Sequence, residues 1–399
     1  MVFGEHGEKT LAQYEDVASR AVRAALMADG HVGYVMPIGG VAAYRDQVSV
    51  VGVGFDIACG NAAIRTDANV SQFTHVDLEH VADDIQREIS FGVGRNNDAS
   101  DAPADHPLFD DAAWDALPRA SKPGALRDKA RSQLGTVGSG NHYVDVFADE
   151  SGDIWVGVHF GSRGFGHTVA SGFLALGAGE PWGTRVPERE TMLGLDQPVG
   201  EAYWGLMNLA GRYAHAGREW VARRVVELLG AREVDLVHNH HNFAWQEVHD
   251  GEELVVVRKG ATPAFPGQRG FVGGSMGDDA VILAGNPAGD PALQAAALHS
   301  TVHGAGRVMS RTEAAGKKKG WGPRAKIVSP GKVSWEMVRE WLAPRGIVLR
   351  GGGLDEAPHA YRRLPDVLAA QGDTVKVLHT LRPLVVVMAG EHEFDPGKD

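Results

Sequence analysis

The chain has 399 residues, with 39 Lys plus Arg against 51 Asp plus Glu, and the resulting net charge of −12 disfavours indiscriminate coating of nucleic acid while leaving local basic clefts open. With 43% hydrophobic and 23% charged residues the composition is that of a globular enzyme rather than a disordered or fibrous chain. A single cysteine, Cys59, excludes an intramolecular disulfide framework and fits a reducing compartment. The opening MVFGEHGEKT lacks a basic start followed by an apolar run, and no stretch approaches the roughly 18 apolar residues of a membrane span, so the expectation is a cytoplasmic protein without membrane contact.

In chain order, Leu11 to Ala28 has helical periodicity and Val48 to Gly54 reads as a buried strand ending in glycine. Residues 94–124, rich in Asp, Asn, Ala and Pro, read as a surface excursion with a short helix or two, and residues 177–200 as a second irregular connection. Ile154 to Gly161 reads as a strand. Glu201 to Gly230 reads as a helix through Tyr203, Leu206, Leu209, Tyr213, Trp220, Val221, Val225 and Leu228, stopping at Gly230. Leu254 to Val257, Val281 to Gly285 and Leu384 to Val387 read as further strands. The spacings are too uneven for a regular doubly wound order, so a mixed sheet is expected. Residues with ligand chemistry lie on both sides of both excursions, which favours one continuous α/β domain, of mixed α+β character, over residues 1–399.

The chemistry concentrates in glycine-flanked strings. GVGFDIACGN places Asp56 and Cys59 three residues apart after an apolar run, where a carboxylate and a thiolate can converge on a metal pair; a buried cysteine beside a capping aspartate is the alternative. GTVGSGNHYVD sets Asn141 and His142 after a bend able to present backbone amides to phosphate, and it lacks the Lys-Ser/Thr ending of a P-loop. In GVHFGSRGFGH, His159 ends a strand and Ser162 with Arg163 can grip a phosphate; a surface arginine beside a hydrogen-bonded histidine is equally compatible. HNHHNFAWQEVH holds His238, His240, His241 and His249, of which only some can face one centre. HGAGRVMSR sets His303 in a glycine-rich turn as a ligand, base or nucleophile, or as a satisfied turn histidine. KKKGWGPRAK is a basic stretch open to a polyanion backbone, or simply a solvated loop.

Taken together, GFDIACG, GSGNH, GSRGFGH, RKGAT, GSMG and HGAGR occur in an order that resembles the RtcB family of RNA ligases, from MADGHVGYVMPIGGVAA to LRPLVVVMAG. The resemblance implies the family's own α/β fold and a two-manganese site. Cys59 would bridge both ions, one completed by Asp56 and His142, the other by His159 and His241, the last chosen because His241, Asn242 and His249 match the family's spacing. It also implies GTP as nucleotide and His303 as the residue that becomes guanylylated. Tyr361 would stack on the base, Asn141 would contact the phosphates, Ser275 and Asp145 would occupy nucleotide-binding positions, and Arg163 would hold the RNA terminal phosphate.

The implied reaction joins RNA 3′-phosphate or 2′,3′-cyclic phosphate ends to 5′-hydroxyl ends, as in RNA repair and tRNA splicing, through a histidine-GMP intermediate; a cyclic phosphate is first opened by metal-activated water. Where the family has a glutamate, a serine and a lysine at the guanine base, this chain has Asp145, Ala280 and Met388, which implies altered nucleotide preference. A metal-dependent phosphodiesterase or cyclic phosphatase on RNA ends, and a non-catalytic RNA-end binder, are the alternative functions.

Overall fold

The strand Gly60–Asn69 carries small residues where it is most crowded, and this lets it accept a neighbour on each edge: Asp153–Phe160 on one side and Glu233–His240 on the other, both antiparallel. The computed structural model that shows this describes residues 1–319 and 326–393. From these pairings the larger sheet extends through Tyr143–Ala148, Val375–Gly390 and Ala280–Gly285 to Arg269–Val272. Val348–Gly352 adds a parallel pairing to Val375–Gly390, so the sheet is mixed, as the uneven strand spacing predicts. A second, antiparallel sheet joins Arg23–His31, Ile38–Tyr44, Glu252–Lys259 and Asn242–His249. A short ribbon, Ala261–Pro263 with Ser300–Val302, lies between them in sequence and in hydrogen bonding, since Ala261 N–H donates to the His241 carbonyl.

The predicted long helix is present as Pro198–Leu228, with proline in its first turn, where the missing N–H costs nothing. Its buried stripe includes Tyr203, Leu206, Leu209, Tyr213, Val221 and Val225, and it packs on the larger sheet and on the helix Arg163–Gly177. The strands predicted around Ile154, Leu254, Val281 and Leu384 are all present.

Two expectations fail. The Leu11 to Ala28 helix ends early: the helix is Glu8–Ala18, and Arg23–His31 is a strand paired from Arg23↔Ala43 onward. Ala24 to Met27 are good helix formers, but burial of Leu26 and Met27 in a paired strand overrides that preference. The Val48 to Gly54 strand is instead a strand Gln47–Ser49 followed by one helical turn, Val50–Val53. Ser49 accepts from Gly52 N–H as its N-cap and Gly54, at φ 91°, ends it.

Residues 94–124 contain three 3-10 turns, and Phe109 and Trp114 within them are fully buried. Trp114 lies 4.5 Å from the Phe165 ring and donates its indole N–H to the Leu108 carbonyl, so this stretch braces the helix that begins at Arg163. In residues 177–200, Met192–Gly194 pairs with Gln47–Ser49. Residues 320–325, the centre of the basic KKKGWGPRAK stretch, lie outside the described residues. Among the described residues no helix is long and apolar enough to cross a membrane. Trp114→Ala should cost about 3–5 kcal/mol of stability in a urea unfolding experiment, the expected loss for truncating a buried aromatic.

Candidate functional site

Strand register builds the site. Gly60 pairs with both Phe160 and His240, Asn61 pairs with His159, and Tyr143 pairs with His159. Cys59, His142, His159 and His241 are therefore delivered to one end of four adjacent strands. The turn before Gly60 is held open in a conformation unusual for a side-chain-bearing residue, with Ala58 at φ 59°. Ser162, fully buried, donates its hydroxyl to the Ile57 carbonyl, so it supports this turn and is not turned outward to grip phosphate as the sequence suggests.

Cys59 Sγ lies 3.3 Å from His159 Nε2 and 3.6 Å from His142 Nε2, and His142 Nε2 lies 3.2 Å from Asp56 Oδ2. The donor atoms of Asp56, Cys59 and His142 all fall within 4.8 Å of one another, as do those of Cys59, His159 and His241. Cys59 belongs to both groups. Two glycines make the approach possible: a Cβ on Gly161 would sit 2.1 Å from Asp56 Oδ1, and one on Gly138 would sit 2.2 Å from His142 Nδ1 and 2.5 Å from Arg163 Nη1.

The electrostatics fit divalent cations. Burial, reinforced by the adjacent Asp56 carboxylate, pushes the Cys59 thiol well above its ordinary pKa. Burial, then the neighbouring imidazoles, push His159 and His241 far down, so both are neutral donors. Nδ1 of His142 and Nδ1 of His241 are buried without a hydrogen-bond partner. A soft thiolate, imidazoles and one carboxylate, packed this closely and only partly satisfied, are a donor set suited to a pair of transition-metal ions.

His238 and His240 do not join the group. Arg218, fully buried on the long helix, donates Nε to His238 Nε2 at 3.1 Å and Nη2 to His240 Nδ1 at 2.7 Å. Its Nη1 donates to the carbonyls of Ala58 and Phe160, clamping the turns that precede Cys59 and follow His159. Burial lowers this guanidinium to about 10, so it remains a cation at neutral pH. His249 bonds to Glu247 at 2.8 Å, and Glu247 is in turn held bidentately by Arg258.

His303 follows the ribbon strand Ser300–Val302, and its ring lies 5.0 Å from that of His241. Asp29 Oδ2 receives His303 Nδ1–H at 2.6 Å and the backbone N–H groups of His303 and Gly304 at 2.9 and 3.2 Å. Burial opposes ionisation of Asp29, but its interaction with the His303 imidazole and the hydrogen bonds from that side chain and backbone outweigh it and hold its pKa below the ordinary value. With Nδ1 acting as donor, the lone pair of His303 resides on Nε2.

His303 opens onto a cavity that Asn141, Asp145, Ser275, Tyr361 and Met388 also line. Arg307 lies 4.9 Å over the Tyr361 ring and donates to both the Tyr361 hydroxyl and Glu356, fixing that aromatic in place. Ala280 does not reach the cavity; it is buried with Phe147, Trp155 and Phe271 beneath it, which corrects the expectation that it borders the base. Arg163, at φ 56°, donates Nε to Thr136 Oγ1 and Nη2 to the Gly92 carbonyl on the Asp56 side of the cluster.

Asp29 and Arg218 are the residues that sequence reasoning misses. Asp29 stands at the head of the MADGH string, while Arg218 is indistinguishable in sequence from a solvated helix charge. Arg218→Met should cost about 3 kcal/mol or more, because two carbonyls and two imidazoles lose a buried donor, whereas His238→Ala should keep the Cys59 group's metal affinity. Chemical denaturation and metal titration measure the two effects.

The family model described as tRNA-splicing ligase RtcB matches residues 11–389. The chain is 32% identical to the tRNA-splicing ligase RtcB of Archaeoglobus fulgidus, over 92% of this chain and 87% of that protein. It is 31% identical to the RNA-splicing ligase RtcB of Escherichia coli K12, over 91% and 89%, and 30% identical to the Thermococcus kodakarensis tRNA-splicing ligase RtcB, over 90% and 86%. With a match of this extent laid over the shared-cysteine cluster and the Asp29-held His303, the chain belongs to the RtcB family of tRNA-splicing ligases.

Proposed function

We propose that the protein joins RNA 3′-phosphate or 2′,3′-cyclic phosphate ends to 5′-hydroxyl ends through a nucleotidyl-histidine intermediate. The observation that carries this reading is the juxtaposition of His303, its Nε2 lone pair fixed by Asp29, with two three-donor groups that share Cys59. Manganese held by Asp56, Cys59 and His142, and a second ion held by Cys59, His159 and His241, would supply Lewis-acid neutralisation of phosphate charge.

The chain's own residues do the rest. His303 Nε2 attacks the α-phosphorus of GTP, the P–N bond forms and pyrophosphate leaves, while Asp29 stabilises the imidazolium that develops. The RNA 3′-phosphate then takes the nucleotidyl group from His303, and the 5′-hydroxyl displaces GMP to form the phosphodiester. Asn141 and Ser275 orient the nucleotide from the cavity wall, Tyr361 stacks on its base, and Arg163 faces the RNA phosphate from the Asp56 side. The substrate ends, two manganese ions and GTP are the partners of this reading.

Cys59→Ala is expected to weaken manganese binding at both sites rather than one, with wild-type affinity falling in acid because the thiol has to lose a proton. Calorimetric titration giving unchanged stoichiometry and affinity in that variant removes the bridging role. His303→Ala should bind manganese normally yet take up no label from radioactive GTP; an adduct mapped by mass spectrometry to a lysine such as Lys259 overturns the mechanism.

The cavity also supports an altered base preference. Asp145 is buried, its Oδ1 lacks a partner, and burial raises its acid well above the carboxylate range. A carboxyl whose ionisation burial opposes, lining the same cavity as Met388, is a weaker anionic acceptor for a guanine N1–H and N2–H edge, and Met388 cannot supply the cation that its O6 favours. Discrimination of GTP from ATP in adduct formation on His303 should therefore be relaxed, and strict guanine preference surviving in Asp145→Ala would assign base reading to other residues.

A further inference from the structure

The nucleotide cavity accounts for only one side of the Cys59 cluster. His159 and His303 line it, but Phe55, Arg163, Tyr34 and His167 do not. Tyr34, Phe55 and His167 lie together elsewhere, and Arg163 begins the helix that carries His167. Tyr34 follows His31 in the link from Arg23–His31 to Ile38–Tyr44, and His31 stacks on His303 at 6.3 Å. Phe55 immediately precedes Asp56, and His167 lies four residues after Arg163 in the helix Arg163–Gly177. The rings form a continuous run, Tyr34 to Phe55 at 6.5 Å edge-on and Phe55 to His167 at 5.5 Å with a 33° tilt.

This run is accessible: Tyr34 is 58% exposed, His167 is exposed and Phe55 half-buried. A tyrosine so exposed, continuous with rings that reach the residue before Asp56, is not explained by the core. At its His167 end the run has an exposed cation, Lys129, whose Nζ comes within 3.1 Å of where a Gly164 Cβ would stand and whose charge acts on His167, as does the Asp56 carboxylate at the inner end of the run. Aromatic faces in series beside fixed cations are what single-stranded nucleic acid uses, because every base offers a π-face and every link a phosphate.

We propose that Tyr34, Phe55 and His167 are a stacking platform for the unpaired bases next to the RNA end, guiding its terminal phosphate past Lys129 and Arg163 to the Asp56 side of the cluster. The nucleotide and the RNA then approach the same donor group from different sides, one from the cavity at His303 and the other from the ring run at Phe55. The platform reads no sequence; it selects for unpaired bases over a duplex terminus.

This inference rests on the RNA-ligase reading, so the experiment reads the two separately. Manganese-loaded full-length protein is titrated with a fluorescent single-stranded RNA ending in 3′-phosphate and with the same strand in a blunt duplex, and ligation kinetics are followed in parallel. Tyr34→Ala and His167→Ala should each weaken single-strand binding by about tenfold, the typical effect of removing one stacking ring. Tyr34→Trp should restore it. In ligation the loss should appear in KM for RNA rather than in kcat at saturating RNA. Unchanged single-strand affinity in the Tyr34→Ala, His167→Ala double variant, or an equal loss with blunt duplex, overturns the platform. If wild-type protein yields neither a His303 adduct nor ligated product, the ligase reading fails instead, and the RNA titration still decides the platform.

Discussion

The register of four neighbouring strands is the constraint on which the rest of the molecule depends. Tyr143, His159, Asn61 and Asn239 lie across from one another in the larger sheet, with Gly60 opposite both Phe160 and His240. A shift of one residue in any pairing would turn a histidine to the other face and dismantle the group, because side chains alternate strictly along a strand. The crowding also explains residue size at the centre: a Cβ on Gly60 would stand 2.2 Å from the Asn239 carbonyl. Chemistry at the strand ends is thus specified by packing deep in the sheet.

Holding a thiol and a carboxylate together in a buried turn is unfavourable unless positive charge is near, and the protein supplies one part of that charge itself. Arg218 is a permanent buried cation whose donors go to backbone and imidazole, not to the carboxylate. It fixes the turns without consuming the donors of Asp56 or Cys59, and it occupies His238 and His240, the two histidines that would otherwise compete with His241. Two histidines of the cluster are thus held away from the Cys59 group by a residue on the long helix.

Much of this was legible in the sequence. The long helix was readable because Tyr203 to Leu228 keep one apolar stripe, and the functional strings because glycine recurs where side chains must come close. What escaped did so for identifiable reasons. Ala24 to Met27 favour helix until the partner strand Ile38–Tyr44 is known, and Val50 to Val53 favour strand until the Ser49 cap is seen. Ser162 has the right chemistry in the right motif, and Ala280 stands where the family has a base-contacting serine, yet burial turns one toward the Ile57 carbonyl and packs the other in the core with Phe147, Trp155 and Phe271. Arg218 was illegible because nothing in a helical sequence distinguishes a solvated arginine from one whose donors are all used internally.

His303 shows how the sheets are coupled. Asp29 comes from the smaller sheet, His303 from the ribbon Ala261–Pro263 with Ser300–Val302, and Cys59 with His159 from the larger sheet. The ribbon is tied to the cluster through Ala261 N–H on the His241 carbonyl, and to the smaller sheet through His303 and Gly304 N–H on Asp29. One carboxylate therefore fixes both the backbone and the imidazole of His303, so the orientation of Nε2 is set by the docking of two sheets and not by a free side-chain rotamer. In the proposed reaction His303 receives a nucleotide and then surrenders it, and this would need the same geometry in both directions. A tether from rigid backbone provides this, because the angle of attack and the angle of departure are one and the same.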